Sequence, residues 1–226
     1  MNKRSFLKRV PLAFLEGEIF YGGRSHMPAH IPMVPYGFPK RSNNPTFNLY
    51  DRLLQDRLIF INKPVDSDLA SQTMAAMLYL NAEEADSDIQ LHIHSQGSEG
   101  QDSPTAGLAI YDTMQCLSSS VTTVCAGAAT GMAAFLLAMG APNKRLALPH
   151  ARILLSQPHP FMQEGSVSNI DTEAEEYLKL QRLLAELLAE RTGQSVEKVL
   201  KDTERSLYLS AQAALDYGLI DHIVNS

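Results

Sequence analysis

Only two cysteines occur in the 226 residues, too few for a small secreted fold held together by disulfides. Cys116 and Cys125 both stand in apolar runs, where free cysteine behaves as a small buried hydrophobe. A reducing compartment, the cytoplasm, is therefore expected. Positive charge is scarce too: 19 Lys and Arg against 25 Asp and Glu give a net charge of −6. No cationic excess is available to displace counterions from phosphates, which argues against a nucleic-acid binder. A long apolar run is also lacking near the start. The basic opening leads only into residues 10–15, broken by Pro11 and closed by Glu16, whereas a signal peptide needs about 7–15 apolar residues there. Export is not expected. Residues 124–141 approach the length of a membrane span, but they are largely Ala and Gly with Thr130 among them. They read as a buried strand and helix of a soluble protein.

Motifs for metal or nucleotide chemistry are equally thin. His92 and His94 stand two apart on an expected strand and so share a face, but no Cys, His or Asp cluster accompanies them. The loop Gln96-Gly97-Ser98-Glu99-Gly100 follows a strand, yet it lacks a Walker Lys-Ser/Thr, and its acidic residue would repel phosphate. No metal and no cofactor are expected.

What is present suits a globular core. Hydrophobic residues make up 45% of the chain, enough for one domain of this length. Six of the twelve prolines fall in the first 45 residues, so residues 1–45 read as an irregular arm and residues 46–226 as a single folded domain. From about Tyr50, strand-like and helix-like pieces alternate. Strands are expected at 58–62, 89–94, 121–125, 145–148 and 153–155, with helices at 66–81, 105–117 and 130–140. Such alternation implies an α/β fold with a mostly parallel sheet.

The clearest helix covers 168–191. Ser168 with Asp171 suggests its N-cap, Gly193 its C-terminal stop, and Leu180, Leu183, Leu184, Leu187 and Leu188 an apolar stripe. At 1.5 Å per residue it is a rod of roughly 36 Å, long for so short a domain. Core packing and an oligomer interface both suit it.

Several segments in order then point to one family. Tyr50-Asp51-Arg52-Leu53-Leu54, the run from Thr105 to Met114 (TAGLAIYDTM) and Phe135-Leu136-Leu137 resemble the core subunit of the Clp protease. Ala147-Leu148-Pro149, Gln157-Pro158, Leu209-Ser210 and the run from Tyr217 to Asp221 (YGLID) continue the match. The resemblance implies a crotonase-like fold of stacked ββα units with a protruding handle helix, here at about 168–191. It also implies heptameric rings stacked in pairs, as a tetradecamer, around a proteolytic chamber.

Active members of that family resemble one another in a Ser-His-Asp triad, and this chain departs from all three positions. Where the family has its serine, in an Ala-Ala-Ser-Met-Gly turn, the gap-free count from Cys125 places Gly131. The histidine before Gln-Pro is replaced by Ser156. The aspartate after the Glu204-Arg205 pair is replaced by Ser206. Glycine has no atom with which to attack a carbonyl, and a serine hydroxyl is a very poor proton acceptor at neutral pH. Ser206 carries no charge to stabilise an imidazolium. The family's Gly-Gly oxyanion turn is replaced by residues 94–104, four residues longer. Thr130, beside the nucleophile position, and His159, three residues past Ser156, are the candidates for a rearranged peptidase site. A one-residue shift on a helix start turns a side chain by about 100°, so Thr130 is expected to point away from the former site.

The implied role is therefore architectural. A Clp core chain without its triad resembles the non-catalytic paralogue ClpR, which shares rings with active subunits in the cytoplasm of cyanobacteria or the plastid stroma. The expected partners are an active Clp core subunit and, through the assembled core, an AAA+ Clp unfoldase. Glu204 and Arg205 match the pair that in the family links neighbouring rings. Gln90 and His92 stand where two strand aromatics of the family receive the unfoldase's hydrophobic loop.

Overall fold

The computed structural model describes residues 33–35, 46–97, 102–157 and 167–224. It divides the chain into two compact units, Met1–Asp56 and Arg57–Ser226. In the first, strand β1 (Met33–Pro35) pairs antiparallel with β2 (Thr46–Asn48), and helix α1 (Leu49–Gln55) follows. Most of the arm expected over residues 1–45 lies outside the described residues.

The second unit alternates strands and helices: β3 (Leu58–Ile61), α2 (Ser67–Glu83), β4 (Ile89–Ser95), α3 (Pro104–Cys116), β5 (Val121–Thr130) and α4 (Met132–Ala138). Then come β6 (Arg145–Ala147), β7 (Arg152–Leu155), α5 (Val167–Thr192), α6 (Val196–Glu204), β8 (Leu207–Ser210), α7 (Ala211–Tyr217) and β9 (His222–Ile223). Local chemistry marks the boundaries. Asp66 caps α2 by accepting the Leu69 N–H at 2.7 Å, and Ser103 caps α3 by accepting the Ala106 N–H at 3.3 Å. Pro104, with no N–H to satisfy, opens α3. The long helix ends at Gly193, whose φ of 72° the residue tolerates without cost.

The sheet runs β3-β4-β5-β6-β9, with β7 against β5 and β8 against β7. Every pairing in it is parallel except β7 with β8. Strand β5 is the pivot. Its first half, Thr123 to Cys125, pairs with β6, and its last three residues, Ala128 to Thr130, pair with β7. Between those halves the register with β4 slips, from Ile93 opposite Cys125 to Ser95 opposite Ala129. Gly127 takes up the slip at φ 104°, and a Cβ there would lie 2.5 Å from His94 Nδ1. The bend is why one strand serves two partners, and it sends the end of β5 toward β7.

Behind β5 lies the core. All seven residues of α4 are buried, and the buried Thr123 hydroxyl donates to the Leu137 carbonyl at 2.7 Å. The Ala- and Gly-rich stretch is therefore a core strand and helix. Among the described residues no helix is long and apolar enough to cross a membrane. A second anchor joins distant segments at the other side of the sheet. Arg145 bonds Asp221 through two guanidinium nitrogens at 3.0 and 2.6 Å, and also donates to the carbonyls of Arg191 and Gly218.

The cysteines differ in a way their shared apolar setting in sequence hid. Cys125, in the core strand, is buried, whereas Cys116, at the last turn of α3, is exposed. Burial pushes the Cys125 thiol up to about 12. A thiol so disfavoured as thiolate is inert. Titration of the native chain with a disulfide reagent is expected to modify one thiol per chain rapidly, and both only after denaturation. Two fast thiols would contradict this packing.

Candidate functional site

The turn between β5 and α4 is a single residue, Gly131, at φ 57° and ψ −122°. That region of backbone space is costly for any residue with a side chain. It is also the conformation of a nucleophile elbow, where a sharp strand-to-helix turn lifts one residue above the sheet. Both neighbours hold it. The Gly131 N–H donates to the Leu154 carbonyl at 3.1 Å, and its own carbonyl accepts the Phe135 N–H at 3.1 Å. Below it, Met132 packs so closely on Gly107 that a Cβ there would collide with the methionine's terminal methyl. The backbone has the elbow conformation, and the residue at its tip has no side chain.

Beside the elbow opens a cleft of about 490 Å³. Gly131, Ser156 and Ser206 all line it, so the three positions singled out in the sequence converge. Ser156, just after β7, places its Oγ 3.8 Å from where a Cβ of Gly131 would stand. Ser206 sits between α6 and β8, and the Gln157 N–H donates to the Thr203 carbonyl at 3.2 Å, tying the end of β7 to α6. The apolar wall comes from Leu184, Ala185 and Leu188 of α5.

Thr130 departs from its expected place. It ends strand β5 instead of starting a helix, pairs with Leu154, and lines the cleft. Its methyl Cγ2 comes within 3.1 Å of the Cβ position of Gly97. The strand continues this far because β7 supplies a partner for its last residues, a pairing that helix periodicity could not reveal. Pro158 and His159 lie outside the described residues. His150 is exposed.

Chemically, the described lining contains hydroxyls and the carboxylates of Asp102 and Glu204, with no imidazole, amine or thiol. Carboxylates are weak bases toward an alcohol, and the lining hydroxyls cannot activate one another. The Tyr177 phenol is pushed up by burial and stays neutral. Glu204 and Arg205 are both exposed, and Glu204 belongs to the cleft rim.

The histidines of β4 belong to the strand's outer face. His92 tilts over Phe60 with ring centres 5.4 Å apart and shares a hydrogen bond with Gln90 at 3.2 Å. Partial burial pushes its imidazole pKa down. Among the described residues no group of three His, Cys, Asp or Glu could hold a metal ion. The residue that sequence reasoning missed is Asp102. Nothing in its local sequence signals that a carboxylate ahead of α3 ends beside Gly131, because only the fold brings them together.

A family model described as Clp protease matches residues 41–226. The chain belongs to the Clp protease family. A Clp relative from Oltmannsiellopsis viridis, named ATP-dependent Clp protease proteolytic subunit, is 40% identical over 200 residues, covering 88% of this chain and all of the relative. Two relatives from Prochlorococcus marinus, strains MIT 9313 and NATL2A, are named ATP-dependent Clp protease proteolytic subunit 2. They are 44% and 43% identical over 198 residues, covering 88% of this chain and 97% of each relative. The mixed sheet with its flanking helices is accordingly the α/β fold of a Clp core subunit. Helix α5 begins one residue earlier and ends one residue later than its periodicity indicated. Its apolar stripe divides: Leu184 and Leu188 are buried, whereas Leu183 is 42% exposed. The helix therefore packs on its own chain along one line and leaves leucines exposed along another.

Proposed function

We propose that this chain is a catalytically inactive, structural subunit of an ATP-dependent Clp protease core, of the ClpR type. It occupies positions in a mixed heptameric ring beside an active serine-peptidase paralogue, in a tetradecamer that receives substrate from an AAA+ Clp unfoldase. The observation that carries this reading is Gly131 at the tip of an intact nucleophile elbow. No side chain at that position can attack a carbonyl, and no described group lining the cleft can serve as an imidazole would. The chain's assembly surfaces support the reading from another side. Leu178 is 59% exposed on α5 and Tyr208 is 73% exposed on β8, and Glu204 and Arg205, just ahead of β8 in the chain, are exposed. Large apolar and charged groups left exposed suit contacts between subunits.

The test is peptide hydrolysis by the purified chain, with native mass recorded on the same sample. Turnover at the level of buffer is expected whatever the mass. Hydrolysis that follows the chain and disappears in Thr130→Ala or His159→Ala would establish a rearranged peptidase instead.

A further inference from the structure

Asp102 reaches the elbow from the segment just ahead of α3. Its Oδ2 accepts the Met132 N–H at 3.2 Å, and its Oδ1 accepts the Val65 N–H at 2.7 Å. A Cβ built on Gly131 would lie 2.5 Å from that same Oδ2, closer than such atoms approach in folded proteins. The volume into which a nucleophile's side chain would project is therefore filled by carboxylate. The bonded amide matters as much. Met132 follows the elbow residue, and in sites of this geometry the N–H after the nucleophile is a donor to the developing oxyanion.

We infer that Asp102 is a built-in occupant of this site: its carboxylate excludes a nucleophile side chain from the elbow and holds the amide an oxyanion would need. The inference rests on the proposed inactivity and deepens it. Loss of the triad residues alone leaves an empty site, whereas with Asp102 present a nucleophile side chain can return only if that carboxylate moves aside. A helix cap alone accounts for a carboxylate on Met132. It does not account for the second bond to Val65, which fixes the carboxylate against the one residue without a side chain. A tetrahedral intermediate would also have to place its negative oxygen beside a carboxylate, the reverse of what acyl transfer requires.

Two measurements on the full chain test this. In the first, Gly131→Ser, Ser156→His and Ser206→Asp are combined, with and without Asp102→Ala, and each protein is treated with an alkyl fluorophosphonate. Labelling at position 131 is expected to be at least tenfold faster with Asp102→Ala present. Equal labelling of both would overturn the inference. The second measurement does not depend on chemistry and decides the matter if neither protein labels. Hydrogen exchange of the wild-type chain and of Asp102→Ala is compared over the peptide containing Met132, with native mass confirming the fold. The Met132 amide lies in the first turn of α4, where the helix offers it no partner. Exchange at least tenfold faster in Asp102→Ala is expected, and unchanged exchange would overturn the inference. Turnover by the wild-type chain would instead remove the proposed inactivity, while the exchange result would still report on Asp102's contact.

Discussion

In a mixed ring, alanine at the serine nucleophile of the active paralogue is expected to abolish all peptide hydrolysis, although this chain is still present at full occupancy. Removing the nucleophile from an intact triad costs about 10⁶ in turnover, so the residual rate should be that of binding and polarisation alone. The matching changes in this chain, Thr130→Ala, Ser156→Ala and Ser206→Ala, are expected to leave the mixed ring's turnover within about twofold, since no group that they remove takes a proton or attacks a carbonyl. The asymmetry follows from the cleft. Its hydroxyls line one cleft, but the described lining holds no imidazole to activate them. The measurement is initial rate per assembled ring, with subunit content read by native mass. Half or more of the activity surviving loss of the paralogue's serine would show that this chain contributes an active site.

The second large effect concerns the fold. Asp221→Ala is expected to destabilise the chain by about 3 kcal/mol, the low end of what is lost when one partner of a buried pair is removed. The side chains of Arg145 and Asp221 are only 11% and 14% exposed, so without Asp221 the guanidinium loses its counter-charge where water is scarce. The pair also organises backbone from three segments. Asp221 accepts the Arg145 backbone N–H at 3.0 Å, while Arg145 reaches the Arg191 and Gly218 carbonyls at 2.9 and 2.8 Å. Those carbonyls close the ends of α5 and α7. Burial alone would push the Asp221 carboxyl up, but the bonds from Arg145, with His222 nearby, outweigh it and hold the group below its usual range. A depressed carboxyl contributes stability above its unfolded value, about 3.9, and loses it as pH falls through the folded one. The wild type should therefore lose this contribution progressively below about pH 4, and Asp221→Ala should be less sensitive there. Thermal unfolding at neutral pH should show a midpoint lowered by roughly 6–12 °C for a chain of this size. A shift of a degree or less would mean that the pair is screened as a surface bridge is.

Some of the architecture was legible because its causes are local. The alternation of Ile89, Leu91 and Ile93 with more exposed neighbours follows from the two-residue period of a strand. Gly193 sits where a helix stop belongs because the unsatisfied groups it meets are those of the adjacent helix turn. Boundaries failed where a distant segment intervened. Thr130 read as the start of a helix, but β7, more than twenty residues later, pairs with residues 128–130 and keeps them extended. Cys116 and Cys125 looked alike because both have apolar neighbours in sequence, yet only Cys125 lies on a strand flanked by other strands. The leucines of α5 separate into buried and exposed lines because the second unit covers only one side of that helix.

The sequence by itself determined the family and the residue types at the three positions that the resemblance assigns to a triad. Those are properties of composition at fixed places, and a glycine lacks a nucleophile in any fold. Whether these positions meet was decided only by the tertiary structure. The slip at Gly127 and the pairing of β7 with the end of β5 bring Ser156 toward Gly131, and the course of the chain ahead of α3 brings in Asp102. Proximity between residues some thirty positions apart depends on register and on turns closed by distant hydrogen bonds. No local pattern carries that information, so the residue types at 131, 156 and 206 could be read from the chain, and the carboxylate beside Gly131 could not.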